Sequence, residues 1–114
     1  MIEIQRNIET DKSLIFGELE INLKCRQVQV NSFLIRLRRK EFDILVLLAK
    51  HPGWVYTKEQ IYELVWQDEY PVNIENTVAC QMKQLRKKLG SNPQGTPYVE
   101  TVWGVGYKFN HGIN

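Results

Sequence analysis

The stretch Asn73–Gly90, NIENTVACQMKQLRKKLG, decides the fold. Wound as a helix at about 100° per residue, it gathers Val78, Met82, Leu85 and Leu89 within about 60° of one another. Asn73, Asn76, Cys80, Lys83, Gln84 and Lys87 point the other way. A narrow apolar stripe opposite a broad, increasingly basic face describes a helix with its core contact on one side and nucleic acid on the other. Both ends are marked. Asn73 suits the N-cap and Gly90 the C′ position, and Arg86, Lys87 and Lys88 complement the negative end of the helix dipole.

Working outward, the preceding segment carries Thr57 with Gln60 three residues on, a capping box that starts a helix with Ile61, Leu64 and Val65 as its apolar face. That helix ends near Trp66, where the chain turns acidic and meets Pro71. Before it, Phe42, Leu45, Leu48 and Ala49 mark one face of a helix over about Arg39–Lys50, stopped by His51-Pro52-Gly53. From Leu14 to Leu37 the period is two instead. Leu14, Phe16, Leu19, Ile21, Leu23, Val28, Val30, Phe33, Ile35 and Leu37 alternate with polar residues, broken at Gly17, at Lys24–Arg26 and at Asn31-Ser32. Four short antiparallel strands result. After Gly90, Tyr98–Val102 and Val105–Phe109 read as a β-hairpin around Trp103-Gly104. Trp54 is assigned to packing.

A chain of 114 residues, 43% hydrophobic, holds one compact core. The expected organisation is a flexible N-terminal tail or linker remnant over 1–13, one domain over 14–110 and a tail over 111–114. The fold class is α+β. Net charge is only +2, so the distribution of charge has to carry the argument. Residues 59–75 hold five acids and no base, whereas 76–114 hold five bases and one acid, and a second basic cluster spans Arg36, Arg38, Arg39 and Lys40. Ordinary solvated faces also mix charge in this way.

Cys25 and Cys80 form no CxxC pair, and no histidine stands at ligand spacing, so neither a disulfide framework, nor a metal, nor a cofactor is expected. The N-terminus lacks a secretory apolar core and no run is long enough to span a membrane, which points to the cytoplasm. Catalysis is not expected. His51 and His111 are isolated, and Gly104-Val105-Gly106 leads from strand to strand instead of opening a helix, so it is no phosphate cradle.

Two helices, the second with a polar face, followed by a hairpin make a winged helix-turn-helix. The chain resembles the OmpR/PhoB-type DNA-binding domain of two-component response regulators over nearly everything from Leu14 to Phe109. The residues that carry the resemblance are Leu37 with Glu41-Phe42-x-x-Leu45, Pro52-Gly53-x-Val55, Val65-Trp66, Asn76-Thr77-Val78, Leu85-Arg86-x-Lys88-Leu89 and Thr101-Val102-Trp103-Gly104-x-Gly106-Tyr107. It implies a four-stranded antiparallel sheet, three helices and a C-terminal hairpin wing. It also implies an N-terminal receiver domain in the parent protein, phosphorylation-driven dimerisation, paired binding to direct-repeat half-sites, and contact with RNA polymerase through loop 67–72. The acids of that loop, Asp68 and Glu69, suit a basic partner, although an exposed acidic loop has the same composition. No receiver lies within the 114 residues, which leaves an excised C-terminal half or a stand-alone regulator.

Four positions depart from the family. Arg38 replaces the Thr that commonly caps the first helix, Ala79 and Gln81 replace an Asp and a His, and Trp103 stands where the wing often bears Arg. The base-reading code therefore has to be argued from chemistry. Gln84 and Lys83 are the first candidates for base edges, because Gln matches adenine and Lys guanine in a major groove. Gln81 and Cys80 follow, a small thiol being able to touch a thymine methyl or to act as half-exposed filler. Asn76, Thr77, Arg86 and Lys87 suit phosphates, which fix register. Lys88 is expected to serve only its helix end.

In the wing, Thr101 and Tyr107 can donate hydroxyls to phosphate, positions that the resemblance supports. Trp103 either meets the sugar backbone or minor groove, or caps the core. Trp66 likewise offers an indole N–H to phosphate or anchors the core. A second reading, from another class, is a winged-helix protein-interaction module that has lost DNA binding, motivated by Ala79, Gln81 and Trp103.

Overall fold

The computed structural model describes residues 13–67 and 73–112. Four strands, β1 (Ser13–Phe16), β2 (Leu19–Asn22), β3 (Gln27–Val30) and β4 (Phe33–Ile35), form an antiparallel sheet in the order β1-β2-β3-β4. The turns set the register. Phe16 pairs with Leu19 across two residues beginning at Gly17, and Val30 pairs with Phe33 across Asn31-Ser32, both at positive φ. Two left-handed residues in succession match the twist of a two-residue hairpin. The sheet buries Leu19, Ile21 and Val28, with Leu14, Phe16, Leu23, Val30, Ile35 and Leu37 packed partly against the same core. Phe33 departs from the expected alternation. It opens the edge strand at a turn corner, and its ring stays 71% exposed.

Three helices follow: α1 (Arg39–Ala49), α2 (Lys58–Trp66) and α3 (Ile74–Leu89). The start of α1 lacks the usual hydroxyl cap, since the Arg38 guanidinium has no acceptor atom. Glu41 supplies the reciprocal half, accepting the Arg38 N–H at 2.8 Å. In α2 the expected capping box is complete, with Gln60 N–H donating to Thr57 Oγ1 at 3.0 Å and Thr57 N–H to Gln60 Oε1 at 2.9 Å. Its buried face is shifted from the expected one. Ile61, Tyr62 and Trp66 are buried and Val65 half-buried, whereas Leu64, across the wheel from Tyr62 and Trp66, is 50% exposed. Trp66 is a core anchor, stacked on Tyr62 with centroids 5.0 Å apart. Lys40 is drawn inward to it, donating to the Val65 carbonyl and lying over the Trp66 ring.

The stripe of α3 is buried as the sequence requires: Val78, Met82 and Leu85 are fully enclosed and Leu89 nearly so. Each contributes on the order of 2 kcal/mol through removal from water. Asn73 occupies the N-cap, but in the left-handed conformation with no side-chain cap bond. Gly90 is the C-cap at φ +68, its N–H held by the Arg86 carbonyl. Arg26 joins the sheet to α1 by a 2.9 Å ion pair with Asp43 and by lying over the Phe42 ring.

Strands β5 (Val99–Val102) and β6 (Gly106–Phe109) form the hairpin. The connection is three residues, Trp103–Val105, because Val105 N–H closes a turn on the Val102 carbonyl and Gly104 sits at φ +79. The hairpin is tied to the segment before α2 by two hydrogen bonds between Tyr56 and Tyr107. A Cβ on Gly106 would stand 1.9 Å from the Tyr56 carbonyl oxygen, so this crossing admits only glycine. Trp54, expected in packing, is 58% exposed and stacks on His51 at the surface, centroids 4.0 Å apart. Tyr98 is wholly buried, and burial, with a smaller contribution from the Glu18 charge, raises its phenol above the ordinary value.

One ionic contact crosses the core. Glu41, 1% exposed, accepts from Lys88 Nζ at 2.6 Å, so Lys88 serves α1 as well as its own helix end. Removing one partner of a buried pair strands the other charge. Lys88→Met is expected to cost about 3 kcal/mol in urea unfolding. The double variant Glu41→Gln/Lys88→Met, which keeps an acceptor for Arg38 and strands no charge, should be the more stable of the two. Equal stabilities, or a worse double variant, would refute the assignment.

Candidate nucleic-acid interface

Every residue that the sequence places opposite the stripe of α3 is exposed: Asn73, Asn76, Cys80, Lys83, Gln84 and Lys87. Lys87 lies four positions from Lys83 and three from Gln84, so its side chain neighbours both of theirs on that face. Thr77 is half-buried at its edge. Gln81 is also half-buried, because it projects only about 60° from Val78 on the helical wheel. Its Oε1 is enclosed and has no hydrogen-bond partner, while Cys80 beside it is an exposed free thiol.

Two basic residues of the last turns flank the stripe on opposite sides and are used internally. Lys88 faces α1 and Glu41. Arg86 faces the wing, where its Nη1 donates to Thr101 Oγ1 at 2.5 Å and its guanidinium lies 5.7 Å from the Tyr107 ring centroid. Arg86, Thr101 and Tyr107, expected separately as phosphate contacts, thus form one connected unit between α3 and β5–β6. Tyr107 is 5% exposed, held in place by its pairing with Tyr56.

Trp103 is at the far end of the wing. At 89% exposure it is the most exposed large apolar side chain among the described residues, so it does not cap the core. Val105 beside it is 53% exposed. Between wing and helices runs an open groove of about 440 Å³, floored by Arg86, Thr101 and Tyr107 and bordered by Trp103 and by Lys58 of the first turn of α2. Lys58 was not among the residues picked out from the sequence. Its capping box locates the start of α2, but only the Tyr56–Tyr107 bridge brings that start beside the wing, and this pairing leaves no linear signal. Lys58 makes a loose 3.9 Å pair with Glu75, whose side chain is 77% exposed, a contact that contributes little in solvent.

The remaining expectations are placed as follows. Arg36, Arg38 and Arg39 are exposed, and Lys40 is engaged with α2 as described. Positions 68–72 of the acidic loop lie outside the described residues, as do 1–12 and 113–114. Among the described residues, no helix is long and apolar enough to cross a membrane and no group of three or more His, Cys, Asp or Glu side chains is arranged to hold a metal.

Known proteins share this arrangement. The family model described as "Transcriptional regulatory protein, C terminal" matches residues 32–109. The uncharacterised transcriptional regulatory protein YclJ of Bacillus subtilis (strain 168) is 44% identical over 114 aligned positions, covering 94% of this chain and 49% of its own length. The chain spans about half the length of the curated relatives it matches. Among solved structures, response regulator DrrB of Thermotoga maritima, an OmpR/PhoB homologue, superposes with a TM-score of 0.77 at 34% identity, over 96% of this chain and 50% of that one. The RstA DNA-binding domain of Klebsiella pneumoniae, solved in complex with the RstA box, gives 0.75 at 29% identity, over 87% of this chain and 97% of that one. With its sheet, helices and wing in the same arrangement, the chain belongs to the family of C-terminal domains of transcriptional regulatory proteins, the winged-helix domains of OmpR/PhoB-type response regulators.

Proposed function

We propose that this chain is a sequence-specific double-stranded DNA-binding effector domain of a transcriptional regulator, with 14–110 as the functional unit. Helix α3 enters the major groove and the β5–β6 hairpin lies on the adjacent backbone or minor groove. The observation that carries this reading is the division of α3, whose apolar stripe is wholly consumed by the core while the opposite face, free of apolar side chains, stands open and basic. The RstA domain, solved on its DNA box, has the same fold and supports it.

The roles follow from reach and chemistry. Lys83 and Gln84 address base edges, with Cys80 alongside and Gln81 turned partly inward. Asn76, Thr77 and Lys87 address phosphates, and Arg86 does so from its place against Thr101 and Tyr107. Lys58 adds a cation on the wing side of the groove. The parent protein is a cytoplasmic response regulator whose N-terminal receiver controls pairing on direct-repeat half-sites, and its loop 67–72 addresses RNA polymerase. No catalytic role is assigned.

DNA affinity should fall steeply with salt through counterion release, and Lys83→Ala and Lys87→Ala should each lower the log-log slope by about one. Failure to retain any duplex at low salt would instead favour the protein-docking reading. Gln84→Ala is expected to relax base preference at one position by about 1 to 3 kcal/mol while leaving nonspecific binding intact. Binding assays on a panel of single-base operator variants measure this, and equal losses on every sequence would remove Gln84 from base readout.

A further inference from the structure

We propose that the wing tip, Trp103-Gly104-Val105, is an uncharged apolar wedge that enters the minor groove beside the α3 footprint and selects a deformable base step there. This rests on the DNA-binding reading above and adds a second mode of sequence selection to it.

Four observations carry the inference. Trp103 and Val105 are 89% and 53% exposed, and they flank a glycine at φ +79, so the turn presents two apolar side chains with nothing between them. The tip is stiffly held. Val105 N–H closes the turn on Val102, Val102 pairs with Gly106, and Gly106 is wedged against the Tyr56 carbonyl. Its position relative to α3 is fixed as well, since the Arg86–Thr101 bond anchors the hairpin two residues before Trp103, a reach of about 7 Å along a strand. Finally, the tip has no charge to offer: Thr101 to Tyr107 contains no ionisable cation or acid, and the flanking Lys108 and Glu100 are paired with each other at 3.4 Å.

An uncharged tip cannot exploit the enhanced negative potential of a narrow A-tract groove, which rewards arginine. An indole and an isopropyl group can instead press between base pairs, where stacking and apolar contact replace the lost base–base contact. The unstacking this requires is easiest at pyrimidine–purine steps such as TA and CA/TG. The wing then discriminates sequence by deformability, without hydrogen bonds to bases, and its contribution is independent of salt because no phosphate is neutralised.

The test uses duplexes selected from a random library by the unaltered protein, trimmed to one half-site so that no neighbouring copy binds beside it. Trp103→Ala, at a position this exposed, leaves the core untouched. It should lower affinity about tenfold, as loss of one stacked aromatic does, with an unchanged salt slope. It should also abolish the preference for TA or CA/TG in the flank while preserving the preference read by α3. With 2-aminopurine at the flanking step, binding of the unaltered protein should change its fluorescence and binding of Trp103→Ala should not. Undiminished affinity of Trp103→Ala with the same flank preference, or silent 2-aminopurine, overturns the wedge while leaving α3 as reader. A loss seen only on paired half-sites assigns the tip to a contact between protein copies and equally overturns it. Selection of no duplex at all removes the DNA-binding reading and the wedge with it.

Discussion

A carboxylate with 1% exposure sits between the first turn of α1 and the last turn of α3, and the orientation of the molecule follows from how its charge is met. Glu41 accepts from the Arg38 backbone N–H and from the Lys88 ammonium. Both are needed, because a buried carboxylate is costly unless hydrogen-bonded and paired. The first closes the start of α1, where Arg38 cannot cap. The second locks the rotation of α3 about its own axis. With Lys88 turned toward α1, the stripe from Val78 to Leu89 can only face inward, and Cys80, Lys83, Gln84 and Lys87 can only face out.

On the other flank of the stripe, Arg86 does for the wing what Lys88 does for α1. Its bond to Thr101 and its place over Tyr107 fix the hairpin against α3, and the Tyr56–Tyr107 bridge fixes it against the start of α2. The basic run at the end of α3 is thus divided by the helical wheel. Lys83 and Lys87 point to solvent, whereas Arg86 and Lys88 are tied to the wing and to α1. A composition count treats these cations alike; their roles differ because each step along the helix turns the side chain by about 100°.

That division explains which parts of the molecule the sequence discloses. Periodicities disclose the strands, the three helices and the exposed face of α3, since burial on one side of a regular element leaves a repeating trace. The Thr57 capping box and the Asn31-Ser32 turn are legible for the same reason, their signals being a few residues long. Contacts between distant segments are not. Nothing local marks Lys88 as Glu41's partner, brings Lys58 beside the wing or sends Tyr107 beneath Arg86. The buried face of α2 is turned from the one its aliphatic residues mark, because Tyr62 and Trp66, amphipathic in composition, are buried while Leu64 is exposed. Trp54 and Trp103 have the same composition as Trp66, yet lie on the surface. Only the fold distinguishes them.

One face of the molecule, made by α3 and the wing, is proposed to meet duplex DNA. Amide chemical-shift mapping by NMR, with a library-selected duplex titrated into the labelled protein, tests it most directly. The largest changes should fall on residues 76–87, on 101–105 and at the start of α2, with the outer sheet row of Ile15, Glu20, Gln29 and Leu34 unmoved. Changes centred on that sheet row or on the exposed side of α2 around Leu64, with α3 silent, would contradict it.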